Sequence, residues 1–222
     1  MAAKSAKPPC ISPPWGWEKT ESILLIVIAA AVLLVNGCAR LPDNSGRSTS
    51  FAIPPDETSP IFREASRELG PDPDENDYLL LGDGLDAFVA RAVLADLAVK
   101  SIDTQYYLLH DDVVGHLFVD RLLKAADRGV RVRLLVDDMD ARAKNVGFAV
   151  LHAHPNIQVR MFNPFASRDG AFSFIAEGLG SFNRVNRRMH NKAFIVDNQV
   201  AIVGGRNIAV EYYQLETTGE FI

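Results

Sequence analysis

RMHNKAFIVDNQVAIVGGRN, Arg188 to Asn207, is the stretch from which the rest of the chain is read. Two short apolar runs, Lys192–Val196 and Val200–Val203, flank the turn-forming trio Asp197, Asn198 and Gln199, which predicts a pair of strands. The same stretch carries a chemical pattern. His190, Lys192 and Asp197 fall in the spacing H-x-K-x4-D, followed by Gly204, Gly205, Arg206 and Asn207. On an extended segment residues two apart share a face, so His190 and Lys192 project together. An imidazole beside an ammonium is a poor structural pair and a good phosphate site. The lysine neutralises phosphate oxygens, and a neutral imidazole attacks phosphorus or moves a proton. Asn207 offers an amide donor to the same oxygens, and the glycine pair lets backbone approach them closely. Arg184, Arg187, Arg188, Lys192 and Arg206 make the region basic. That contrast suits an anionic group, although a solvated loop explains arginines equally well.

Upstream, helical and strand patterns alternate. Leu85, Phe88, Val89, Ala92, Val93 and Leu97 recur at helical spacing, which predicts an amphipathic helix over 84–99 with that side inward. Ser101–Leu108 reads as a strand, Val113–Arg128 as a helix stopped by Gly129, and Val130–Asp137 as a strand. A helix over about 143–153 and a strand at Ile157–Phe162 follow. Residues 166–188, broken by glycines, read as loop. The alternation predicts an α/β layered sheet flanked by helices, over residues 77–222. Of Tyr106 and Tyr107, adjacent on a strand, one is expected in the core and neither is assigned to substrate. Asp137 and Asp138 are expected to cap or turn. His152 and His154 form H-x-H beside Pro155, but no third ligand is apparent and they read as loop residues, while His110 and His116 read as surface or packing residues, so no metal and no cofactor is expected.

Before the lobe come two other regions. Residues 38–76 are rich in Pro, Ser, Asp and Glu and read as a flexible tether. One short helix is expected within it, with Ser59 as N-cap, Pro60 at the first helical position and Gly70 as the stop. Residues 1–37 contain the uncharged run Ile23–Val35, 13 residues long. A bilayer-spanning helix needs roughly 20, so the run fits a signal peptide, with an uncleaved anchor as the other reading. Either places the chain at a membrane. The only cysteines are Cys10 and Cys38, which excludes a disulfide framework. The net charge is −5, and the first 37 residues hold three Lys and two Glu, so residues 38–222 carry −6. An acidic lobe is a poor bulk binder of nucleic acid, whose non-specific binding rests on phosphate neutralisation.

The His190–Asn207 pattern resembles the HKD motif of the phospholipase D superfamily. DTQYY (Asp103–Tyr107), AADRGVRVRLLVDD (Ala125–Asp138), VRMFNPF (Val159–Phe165) and NRRMHNK (Asn186–Lys192) are similar to bacterial cardiolipin synthases of the phospholipase D-like type. The resemblance implies a bilobal fold in which two HKD motifs face each other in one metal-free site. One histidine attacks phosphorus and the other protonates the leaving alkoxide. His190 matches the nucleophile, and Lys192 and Asn207 the phosphate-holding positions. Asp197 belongs to the catalytic motif in a more structural role. Gly205 stands where many members have Ser, among the phosphate contacts. Only one H-x-K-x4-D occurs in the sequence, so one incomplete lobe is expected, from a truncated or fragmentary product. Val35-Asn36-Gly37-Cys38 resembles a lipobox, with Asn36 a departure from it. Lipidation at Cys38 would put a bacterial lipoprotein on the periplasmic or outer side. The implied function is phosphatidyl transfer or hydrolysis on anionic phospholipid. The alternatives are a single-motif phosphodiesterase or nuclease acting as a homodimer, and an inactive membrane-anchored remnant.

Overall fold

The computed structural model describes residues 22–28, 41, 43–70, 76–141, 145–166 and 182–213. Its elements are α1 (residues 22–28), α2 (Pro60–Leu69), α3 (Gly84–Leu97), β1 (Ser101–Tyr106), α4 (Val113–Asp127), β2 (Arg131–Asp137), α5 (Asp138–Ala141), α6 (Asn145–His152), β3 (Ile157–Phe162), α7 (Phe182–Val185), β4 (Ala193–Val196) and β5 (Val200–Val203). The strands form one sheet in the order β3-β2-β1-β4-β5. β1, β2 and β3 are parallel, linked through helices, and β4 and β5 are antiparallel. This is the α/β layered arrangement expected from the sequence.

Local chemistry sets the boundaries. Ser59 caps α2 by accepting from Phe62 N at 2.9 Å, with Pro60 in the first turn. Asp83 caps α3 through Leu85 N and Asp86 N, and Asp112 caps α4 through Gly115 N. Between β4 and β5, Asp197 and Asn198 have φ of 51° and 56°, and Gln199 N donates to Val196 O at 3.0 Å. This is the left-handed pair a tight hairpin turn requires, supplied by the two non-glycine types that tolerate it best.

One sheet face, with Ile102, Tyr106, Val132, Leu134, Val136, Phe194 and Val196, is buried beneath α3 and α4. Phe118 of α4 stacks edge-on against Tyr106 and Phe194, with ring centroids 5.5 and 5.9 Å away. α3 corrects the expected helix face. Of the expected face, Phe88 and Ala92 are half-buried, Phe88 against Tyr213, but Leu85, Val89, Val93 and Leu97 are exposed, and Ala87, Arg91 and Ala95 are the buried residues. Alanines let the helix sit close to the sheet. Arg91 reaches in to donate from Nε to Tyr106 Oη at 2.9 Å and from Nη1 to Ala87 O at 2.6 Å. Being apolar on most sides, the helix carried no clear sequence signal for which side faces in.

The opposite sheet face carries Asp103, Arg131, Arg133 and Arg160, and residues 48–51 lie across it. Arg133 pairs bidentately with Asp103. Further along, Ser59 is buried and its hydroxyl donates to Gln199 Oε1 at 3.1 Å, and Ile61 joins the core. Residues 48–61 of the stretch read as tether are thus held against the lobe. Cys38 lies outside the described residues. Among those described, no helix is long and apolar enough to cross a membrane.

Candidate functional site

The pattern His190, Lys192, Asp197, Asn207 is divided between the two ends of the sheet. Lys192 enters β4 and is 5% exposed. Its Nζ donates to His190 O at 2.9 Å and stands 5.3 Å from the centre of the Tyr107 ring. His190 is exposed, with its ring 5.0 Å from that of Tyr107. Tyr107 therefore touches both motif residues. Sequence reasoning left it aside, and the available signal was its alternation with buried Tyr106. Lys192 has no carboxylate partner among the described residues, and burial lowers its ammonium pKa. A desolvated cation of this kind is matched to an incoming anion.

Asn207 is 2% exposed and follows β5 on a segment running beside the end of β1. Ile208 N donates to Leu108 O at 3.2 Å, and His110 N donates to Ile208 O at 2.8 Å. Asn207 Oδ1 accepts from Leu108 N at 3.1 Å, which fixes the amide and leaves Nδ2 as its donor. Gly205 is exposed, and a Cβ there would meet no atom within 4 Å. A serine would fit at this position, so the backbone does not demand the glycine.

Asp197 is fully buried at the far end of β4. At roughly 3.3 Å per residue, five residues of strand put it about 17 Å along from Lys192. Its carboxylate accepts from Val99 N at 3.0 Å, Lys100 N at 2.7 Å and Ser101 N at 2.9 Å. It ties the hairpin turn to the α3–β1 junction and makes no contact with His190. Within the motif, Asp197 thus holds the strand that carries Lys192.

The arginines mostly hold the frame. Arg206 donates to Leu81 O and Gly82 O at 3.0 and 2.6 Å. Arg184 donates to Asn163 Oδ1 and Pro164 O at 3.1 and 2.9 Å. Arg188 pairs with Asp137 at 3.2 Å and lies 4.3 Å from the Phe165 ring centre. Asp137, buried at the end of β2, also accepts from Met139 N and Met189 N at 2.9 Å each. It fixes the backbone directly before His190, beyond the turn role read from sequence. Asp138 Oδ2 accepts from Phe165 N at 2.7 Å. Arg187 is exposed and, with Phe162, Asn163, Asn183 and Arg184, lines an open groove at the same end of the sheet.

His110, Asp112 and Glu211 bring ligand-type atoms within 4.8 Å of one another. Both Asp112 oxygens accept backbone N–H groups, from Gly115 and from Val210, each at 2.9 Å. That explains the grouping as a cap joining α4 to the segment after Asn207.

The family described as cardiolipin synthase, phospholipase D-like domain, matches residues 94–217. Cardiolipin synthase C of Escherichia coli K12 is 48% identical over 132 residues, covering 58% of this chain and 27% of that protein. An uncharacterized protein of Helicobacter pylori 26695 is 35% identical over 198 residues, covering 89% of this chain and 39% of that protein. A cardiolipin synthase of Staphylococcus aureus Mu50 is 31% identical over 142 residues, covering 62% of this chain and 26% of that protein. The chain thus spans between 26% and 39% of the length of these relatives. Among solved structures, NucT from Helicobacter pylori aligns with a TM-score of 0.43 at 18% identity, covering 61% of this chain and 76% of that one.

Proposed function

The chain belongs to the cardiolipin synthase, phospholipase D-like domain family, and from that premise we propose that it supplies one half of a phosphodiester-exchange site acting on anionic phospholipid. The observation that carries this is Lys192, a buried ammonium without a carboxylate partner among the described residues, set beside exposed His190 across Tyr107. In the proposed reaction His190 attacks the phosphorus of a diester such as phosphatidylglycerol. The P–O bond to glycerol breaks as the P–N bond forms, and an acid from a second HKD motif protonates the departing alkoxide. A second alcohol, or water, then displaces the phosphohistidine, giving a transferred phosphatidyl group or a hydrolysed one. Lys192 Nζ and the Asn207 amide donors hold the phosphate oxygens as charge builds on them.

Support for phospholipid over nucleic acid comes from the acidic lobe, the likeness to Cardiolipin synthase C and the N-terminal apolar run. Lipidation at Cys38 after cleavage of the run, or the uncleaved run itself, would hold the protein on a bacterial membrane. The test incubates the chain, alone and joined to a stretch carrying a second motif, with labelled phosphatidylglycerol vesicles or with DNA. Diphosphatidyl product from the joined protein, lost in His190→Ala, is the expected result. DNA cleavage by the 222-residue chain, with none of the lipid converted, would replace this reading with the homodimeric nuclease.

A further inference from the structure

Residues 48–51 cross the sheet in a definite direction. Arg160 belongs to the cross-sheet row Arg160, Leu135, Gln105, Ala193, which borders Lys192. Arg133 lies one row further from the site, with Asp103 and Ile195, and Arg131 pairs with Ser101 at the Asp197 end. Ser48 O accepts from Arg160 Nη2 at 3.2 Å, Ser50 Oγ from Arg133 Nη1 at 3.0 Å, and Phe51 O from Arg131 Nη1 at 2.9 Å. The chain then reaches Lys100, paired with Asp56 at 3.0 Å, and Gln199, bonded to Ser59. The strap therefore runs antiparallel to β1–β3. Ser48 is thereby set toward the end of the sheet that bears His190, Lys192 and Asn207, and a turn at Asn44–Arg47 leads into it.

Twelve residues, 36–47, separate Ser48 from the end of the apolar run at Val35. With Asn44 to Arg47 closed in a turn, they reach less than the ~42 Å of a fully extended chain. The same end of the lobe exposes Phe162, Met139 and Val203 and holds the groove with Arg184 and Arg187. Exposed apolar side chains interleaved with cations suit an anionic lipid surface. The acidic groups at this end are Asp137 and Asp138, both buried, Asp112, Asp140 and Glu211 around His110, and exposed Asp111, paired with His116 on the α4 side.

We propose that the strap Ser48–Phe51 orients the lobe, so that the sheet end carrying His190 and Lys192 faces the bilayer holding the N-terminal apolar run. This rests on the phospholipid reading and adds to it a geometry. The site would draw its substrate from the membrane to which its own chain is fixed.

The full chain, with its N-terminal run, is bound to phosphatidylglycerol-containing vesicles that carry a headgroup-quencher lipid. A fluorophore is attached through an azide-bearing residue placed at position 191, beside the site, or at position 198, in the hairpin turn at the opposite end. Quenching several-fold stronger at position 191 is expected. Equal quenching, or stronger quenching at position 198, overturns the orientation. Vesicle flotation runs in parallel, and failure to float overturns the membrane reading itself. Arg160→Ala combined with Ser50→Ala is expected to bring the two quenching values together while flotation persists. An unchanged difference overturns the role of the strap.

Discussion

Burial holds the Lys192 ammonium below its ordinary pKa of 10.5, so the folded state binds that proton less tightly than the unfolded state. The charged lysine therefore costs stability at neutral pH, and the cost fades as pH rises and the native lysine deprotonates first. Lys192→Met should abolish phospholipid turnover by the chain joined to a second motif, yet stabilise the fold of the 222 residues. The gain should stay within about 1 kcal/mol, because the hydrogen bond from Nζ to His190 O is lost together with the charge. Urea titrations at pH 7 and pH 10.5 check this, with the gap between variant and wild type narrowing at the higher pH. Asp197 should behave in the opposite way. Its carboxylate satisfies three backbone N–H groups in a buried junction, so Asp197→Ala leaves them unpaired and should cost about 2–4 kcal/mol. A variant of Asp197 that melted like wild type while losing activity would return this residue to the chemistry. The motif's spacing was fully legible, but its division of labour was not. That depended on how far β4 carries Asp197 from His190.

On α3 the periodic residues Leu85, Val89, Val93 and Leu97 looked like a core face, and the buried side is Ala87, Arg91 and Ala95. Val89→Lys with Val93→Glu should therefore change stability by no more than about 0.5 kcal/mol. Ala95→Leu, pressed against the sheet, should cost about 1–3 kcal/mol, and thermal melts of the two variants distinguish the faces. In α4 a Cβ at Gly115 would overlap His110 O, so Gly115→Ala should displace the His110 segment from Asn207 and Ile208. The docked N-terminal segment should respond to pH through Asp56. Hydrogen bonds from Thr58, and then the Lys100 ammonium, hold the Asp56 carboxyl down to about 2. Its folded pKa is depressed, so the contribution is complete above the ordinary value of 3.8 and lost as pH falls through 2. Pepsin cleavage at Phe51 should accelerate between pH 4 and pH 2 in wild type more than in Asp56→Asn. Caps were readable for α2, where Ser59, Pro60 and Gly70 stand in sequence order. α5 was not, because four residues carry no period. The packing of residues 48–61 was also hidden, since it depends on arginines of β2 and β3 and on Gln199, about 80–140 positions away.

At the scale of the whole molecule the sheet order followed from elements that the sequence marked plainly. The parallel β1-α4-β2 unit and the β4–β5 hairpin both showed their periods. The antiparallel placing of β4 against β1 had no local signal, and it is what brings Lys192 beside Tyr107. The lobe so assembled presents the nucleophile His190 beside Lys192, a cation without a carboxylate partner among the described residues. Expelling an alkoxide also needs a proton donor facing the leaving oxygen, and general acids of this kind contribute about 10²–10⁴ in rate. Among the described residues, the carboxylates at this end nearest His190 are already engaged. Asp137 holds Arg188 and Met189, and Asp140 accepts from Leu109 N. The 222 residues alone should therefore show background turnover of phosphatidylglycerol at every protein concentration. Fusion to a stretch with a second H-x-K-x4-D should raise the rate by at least 10²-fold, and His190→Ala in the fusion should remove that gain. If two copies completed the site instead, the rate of the unfused chain would climb with the square of its concentration. Mixing with an excess of His190→Ala chains would then suppress it, because each mixed pair would hold a single histidine. A dilution series with and without that excess separates the two arrangements, since only the paired one responds to concentration.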